Sequence, residues 1–213
     1  SKEWKDLNSN PFNPLINKLP VKMYQPINVK LGDTLKLNNT INGARCYIAI
    51  SGGLKVKSIF GSKSFFSNIT DSYFLKKNDE IKVSKKSKNK ILKWDRFNFK
   101  LNRSIEVFKG PEFDLLSSNS KNKLFKNEFT ISTNNRMAYN LVEKLQVGTK
   151  SIISSPVLPG SVQLTPSGKM IILHRDCQTT GGYPRILQLN ISSLNYLSQL
   201  KSTDKIKLRL INL

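Results

Sequence analysis

Apolar residues in this chain come in short runs, each about the length of one strand, and several are ended by glycine or proline. Ala44 to Ser51 is almost continuously apolar before Gly52-Gly53 and reads as a strand buried on both faces. Glu80 to Val83, Ile105 to Phe108 and Glu128 to Ser132 alternate, as do Phe97, Phe99 and Leu101 within Lys93 to Leu101. Val162 to Leu164 closes at Pro166-Ser167-Gly168, and Met170 to Leu173 reads as a buried strand. Val21 to Leu37 suggests two strands about the turn Gly32-Asp33, and Lys205 to Leu213 a half-exposed final strand. Helical spacing is clear only at Leu194, Leu197 and Leu200, with Ser192 or Ser193 as N-cap. Ser1 to Leu19 and the polar stretch Ser117 to Lys126 read as loops, and Pro156 to Gly160 as a turn. Arg136 to Leu141 and Leu145 to Val147 are ambiguous. The expected class is mainly β, a barrel or sandwich with one or two short helices.

Charge narrows the partners. The formal net charge of +21 raises nucleic acid. Most of that charge is scattered lysine, however, with one dense run at Lys82, Lys85, Lys86, Lys88, Lys90 and Lys93, and phosphate forks favour arginine. A solvated lysine surface is the reading adopted, with no nucleic-acid partner. No apolar stretch is long enough to span a bilayer, and Ser1 to Asn13 has no secretory apolar core. Cys46 and Cys177 lack metal-type spacing, which points to a reduced, cytoplasmic setting. The opening residue is Ser1, which leaves a processed or incomplete chain open.

Asp176-Cys177-Gln178-Thr179-Thr180-Gly181-Gly182-Tyr183-Pro184-Arg185 carries most of the chemistry. It follows Met170 to Leu173, and a core strand emptying into a polar glycine loop is a common way to build a site. An ordinary strand-end turn is the alternative. Phe60-Gly61-Ser62-Lys63-Ser64 fails as a phosphate loop, because Ser62 stands between glycine and lysine and no helix follows. Zinc fails on ligand count, with His174 the single histidine and Cys177 three residues on. The same offset directs the two side chains to opposite faces, against a Cys-His pair. No Met-Lys biotin-attachment motif is present. Asp176 remains as a base or metal-nucleotide anchor, Gln178, Thr179 and Thr180 as hydrogen-bond donors, and Arg185 as an oxyanion or phosphate clamp. Arg136 and Glu112 are separate candidates, each beside a turn. The residues by themselves specify an anion-handling loop and no reaction.

Read together, four stretches resemble one family. They are Gly43-Ala44-Arg45-Cys46-Tyr47-Ile48-Ala49-Ile50-Ser51-Gly52-Gly53 with Phe60 to Ser64; Lys109-Gly110-Pro111-Glu112; Asn135-Arg136-Met137-Ala138-Tyr139; and Pro159-Gly160-Ser161-Val162-Gln163 through Asp176 to Arg185. The chain from about Val21 onward resembles the allophanate hydrolase subunit 2 family, also called the biotin-dependent carboxyltransferase or KipA family. Its commonest bacterial member is the C subunit of the ATP-dependent 5-oxoprolinase. The family's usual N-terminal stretch is not in this sequence, and Ala138 and Asn140 stand where the family has Gly and often Arg. The resemblance implies one family domain over 1–213 in two cyclophilin-like β-barrel lobes, a partial one over about 1–101 and another over about 102–213. It also implies two partners, a KipI-like protein and a LamB/YcsF-like protein.

The implied reaction is ATP-dependent hydrolysis of the 5-oxoproline lactam to glutamate, with ATP as co-substrate, with or without Mg, and no biotin on this chain. Phosphoryl activation of the lactam oxygen would precede water attack. Carried over by residue, Asp176, Thr179, Thr180 and Arg185 are the catalytic expectation. Arg136 would hold the substrate carboxylate, beside Gln163, Gln178 and Tyr183, and Gly52, Gly53, Gly61 and Ser62 would form a facing wall. The alternatives are a KipA-like regulatory partner of a KipI-like protein and a carboxyltransferase-type domain related to urea carboxylase.

Overall fold

Period-two burial closes the main sheet on itself. In the computed structural model, which describes residues 12–39, 43–71, 74–85, 104–146 and 151–212, strands β1 (Leu15–Ile16), β2 (Leu19–Pro20) and β3 (Leu35–Lys36) form a small sheet in the order β2-β1-β3. Strands β4 (Ser104–Lys109), β5 (Glu128–Asn134), β6 (Ala138–Lys144), β8 (Ser161–Leu164), β9 (Lys169–Leu173), β11 (Arg185–Leu189) and β12 (Lys205–Leu210) make a closed barrel in the order β11-β4-β12-β5-β6-β9-β8. Strands β7 (Ser155–Pro156) and β10 (Thr180–Gly181) pair separately, and the helices are α1 (Ser118–Lys126) and α2 (Ile191–Leu197). The mainly β expectation therefore holds.

Alternation explains which side chains fill the barrel. Ile105 and Val107 of β4, Phe129 and Ile131 of β5, Tyr139 and Leu141 of β6, and Ile206 and Leu208 of β12 are all buried. Burying each large aliphatic contributes about 1.5–3 kcal/mol. Strand β12 runs parallel to β4, whereas β11 and β5 are antiparallel to their barrel neighbours. Strand β8 departs from the alternating pattern because all four of its residues are buried. Val162 and Leu164 belong to the core, and the intervening Ser161 and Gln163 are buried polar groups under other covering.

Several expectations from the sequence change. Ser117 to Lys126 is not a loop: Ser117 caps a helix by accepting from the Ser120 amide at 3.2 Å, and Leu124 is fully buried. One apolar anchor with Phe125 beside it is easily lost among Ser, Asn and Lys. The cap of α2 is Asn190, whose side-chain oxygen accepts from the Ser193 amide at 2.7 Å while its Nδ2 donates to Glu106 at 2.6 Å. Within Ser1 to Leu19 the described part contributes β1 and the start of β2. Of Val21 to Leu37, only Leu35–Lys36 is strand. The Arg136–Leu141 ambiguity resolves as a turn followed by β6. Lys93 to Leu101 lies outside the described residues.

The described residues divide into two units. The first holds 12–23, 30–39, 43–45 and 104–212; the second holds 24–29, 46–71 and 74–85. In the second unit no described residue is buried. Ala44 to Ser51 therefore does not form the buried strand its composition suggests, and Tyr47, Ile48 and Ile50 are exposed. Apolar residues favour a strand, but a strand also needs a paired neighbour, and none of the described residues supplies one. Glu80 to Val83 contributes only an isolated bridge, Leu54 to Val83. Among the described residues no helix is long and apolar enough to cross a membrane.

Leu124→Ala should lower the unfolding free energy by about 2–5 kcal/mol, and Asn190→Ala by about 1 kcal/mol. Urea titration of the two variants checks both. A loss at Ser192→Ala matching that at Asn190→Ala would overturn the cap assignment.

Candidate functional site

The loop after β9 lies over the outer face of β8. Gln163, only 2% exposed, points away from the core and donates through Nε2 to the Tyr183 carbonyl at 3.3 Å. Its Oε1 accepts a long bond of 3.4 Å from Gln178 Nε2. Gly181 passes so close that a Cβ there would lie 2.5 Å from Gln163 Nε2. A side chain there would have to displace the Gln163 amide. The loop thus brings together Gln163, Gln178 and Tyr183 of the expected site, with Gly181 beside them.

Backbone bonds secure the loop along its length. The His174 amide donates to Met137 at 2.8 Å and the Asp176 amide to Arg136 at 3.0 Å, both on the turn between β5 and β6. Strand β10 pairs with β7 through Thr180 opposite Pro156, and the Val157 amide donates to the Thr179 carbonyl at 2.9 Å. The Leu164 amide donates to Pro184 at 3.0 Å. Thr179, Thr180 and Tyr183 keep exposed side chains, and no hydrogen bond among the described residues uses their hydroxyls. These are free donors on a tethered backbone.

The two expected arginines differ. Arg136 pairs with Asp176 at 2.5 Å, its side chain 58% exposed. Arg185 is 19% exposed and committed at every side-chain nitrogen. Its Nε and Nη2 donate to the two oxygens of Glu112 at 2.9 and 2.7 Å, and its Nη1 donates to the Pro156 carbonyl at 2.8 Å. The Arg185 amide adds a third bond to the Glu112 carboxylate, at 2.8 Å. A guanidinium so occupied holds structure together and presents little free charge. Glu112, kept apart in the sequence as a turn residue, is thereby joined to the site. Gly110-Pro111 is the signal, since a Cβ at Gly110 would lie 2.1 Å from the Arg185 carbonyl oxygen.

Residues 7–210 match the family model of the carboxyltransferase domain, subdomain A and B. The chain belongs to this family. It is 28% identical over 179 residues to the 5-oxoprolinase C subunit of Escherichia coli, covering 81% of this chain and 58% of that protein. To the 5-oxoprolinase C subunit of Haemophilus influenzae it is 26% identical over 211 residues, covering 95% and 67%. The crystal structure of Kluyveromyces lactis urea carboxylase shares the fold at TM-score 0.77 and 20% identity, over 94% of this chain and 20% of that one.

Other candidates in this carboxyltransferase domain occupy different surroundings. Gly52, Gly53, Gly61 and Ser62 lie in the second unit, where Gly52 and Gly53 take positive φ of 86° and 77°. Gly61 and Ser62 close the Ile59–Ser62 turn. His174 is buried against Tyr139, ring centroids 5.4 Å apart, and its Nε2 has no partner among the described residues. Burial and then the Arg45 charge hold its pKa below the usual value. Burial raises the Cys177 thiol, opposite to what a thiolate nucleophile needs. Asn140, one of the departures from the family pattern, donates to Thr133 at 2.9 Å.

Arg185 hydrogen bonding holds the Glu112 carboxyl below its usual pKa. A depressed carboxylate stabilises the fold above its unfolded pKa and loses that contribution as pH falls through the folded value. Stability should therefore drop as pH falls below about 4.5, and Glu112→Gln should flatten that limb while costing about 2 kcal/mol or more at neutral pH. Urea unfolding between pH 7 and pH 3 measures both. An unchanged acid limb in the variant would show that the pair does not carry it.

Proposed function

We propose that this chain is one component of an ATP-dependent 5-oxoprolinase. In this reading it works in the cytoplasm with two partners, a KipI-like protein and a LamB/YcsF-like protein. The observation that carries the reading is the tethered loop presenting the free hydroxyls of Thr179 and Thr180 beside balanced ion pairs. Similarity to two relatives named as the C subunit of 5-oxoprolinase supports it. Because the chain spans 58% of the length of the Escherichia coli relative, the activity belongs to the assembled complex in this proposal.

The chemistry asks for charge stabilisation. ATP phosphorylates the lactam oxygen, which makes the ring carbon electrophilic. One water adds there and the ring C–N bond breaks; a second water releases phosphate, leaving glutamate, ADP and phosphate. Thr179 and Thr180 would donate to the developing oxyanion or the transferring phosphoryl oxygens, where preorganised donors matter most. Arg136, oriented by Asp176, would take the substrate carboxylate on its exposed terminal nitrogens, and Gln178 and Tyr183 would border the ring. Arg185 acts in this scheme as a brace. Among the described residues no group of three or more His, Cys, Asp or Glu side chains comes together.

A second reading, carboxyl transfer from a biotin carried on another chain, is favoured by the family match itself. The two separate cleanly by assay. The complex co-expressed with both partner proteins should release glutamate from 5-oxoproline only with ATP. Replacing both Thr179 and Thr180 by Val should lower kcat about 100-fold. Carboxyl transfer from free carboxybiotin without glutamate release would sink the first reading. Full activity in the double variant would remove the threonines from the site.

A further inference from the structure

We infer that Glu112 is a positioning residue for Thr179 and Thr180, acting through Arg185 and the Pro156 carbonyl. The inference deepens the reading of the threonine loop given above and rests on it for its catalytic consequence. Thr179 and Thr180 are exposed and owe their placement to β10 and its partner β7, each only two residues long. A two-residue ladder is marginal, and Pro156 sits at its non-hydrogen-bonded position, with its carbonyl turned away from β10. Some outside group must therefore hold β7.

That group is Arg185. Its Nη1 donates to the Pro156 carbonyl at 2.8 Å, directly opposite Thr180 in the register. One residue on, the Val157 amide holds the Thr179 carbonyl at 2.9 Å. A free arginine side chain has many rotamers, and fixing one costs entropy. Glu112 removes that freedom with a fork on both oxygens, at 2.9 and 2.7 Å. Glu112 is itself seated on the barrel: the Gly110 amide donates to Ile186 at 2.9 Å and the Glu112 amide to the Arg185 carbonyl at 3.2 Å. The path runs from a rigid barrel strand through one carboxylate and one guanidinium to the backbone that carries both threonines.

Hydrogen exchange on the full 213-residue chain tests the path without requiring activity. Glu112→Gln should raise local opening at the Val157 amide, speeding its exchange about tenfold or more beyond the change at the Ile131 amide in the barrel, which follows the global loss of stability. Arg185→Lys keeps the charge, loses the fork, and should show the same local effect. In the reconstituted complex, Glu112→Gln should lower kcat about tenfold with KM for 5-oxoproline unchanged, and Glu112→Asp should recover part of it. Val157 exchange that is unchanged in both variants, or that rises no more than exchange at Ile131, would overturn the assignment. So would a rise in kcat, since that would mean Arg185 is a charge clamp that Glu112 restrains. A wild-type complex that makes no glutamate would count against the 5-oxoprolinase reading, while the exchange result would still decide the positioning path.

Discussion

The fork between Glu112 and Arg185 is the interaction on which the loop's geometry depends. It joins the turn after β4 to the start of β11, strands that are neighbours in the barrel, and extends to β7 through the Pro156 carbonyl. Both side chains are largely shielded from water, where a lone charge would be expensive and a bidentate pair is compensated. Removing either partner leaves the other uncompensated. The pair is also electrically neutral, so it holds the loop without drawing anions to itself.

Around that brace the site is polar and nearly balanced in charge. Arg136 meets Asp176, and Arg185 meets Glu112, in a chain whose overall formal charge is +21. The basic surplus therefore says little about the site. What the loop offers is directional hydrogen bonding: exposed threonine hydroxyls, and a buried Gln163 that seats the loop from below. Such an arrangement suits a reaction in which charge develops transiently on oxygen.

The barrel was largely legible in the chain. Alternation at Ile105 and Val107, Phe129 and Ile131, and Ile206 and Leu208 marks inward faces whose burial the fold confirms. Less legible was α1, because helix formation there rests on a serine cap and one buried leucine in polar surroundings. Ala44 to Ser51 misled in the other direction. Its composition suits a strand, yet strand formation is a property of two segments, and composition describes one. In the site, the decapeptide was visible as chemistry, but the commitment of Arg185 was not. A guanidinium in a polar loop reads as available charge until its carboxylate partner, far off in sequence, is located.

By itself the sequence determined the period-two burial that makes a β barrel, the family signature, and the clustering of hydroxyl, amide and charged groups between Asp176 and Arg185. These are local properties, written in residue type and spacing. Only the tertiary structure decided which charges are spent and which groups stay free, because that depends on contacts closed over long stretches of chain. Glu112 reaches Arg185 across 73 positions, and Gln163 reaches Tyr183 across 20. No local pattern encodes such a meeting; the closed barrel brings it about by setting β11 between β4 and β8.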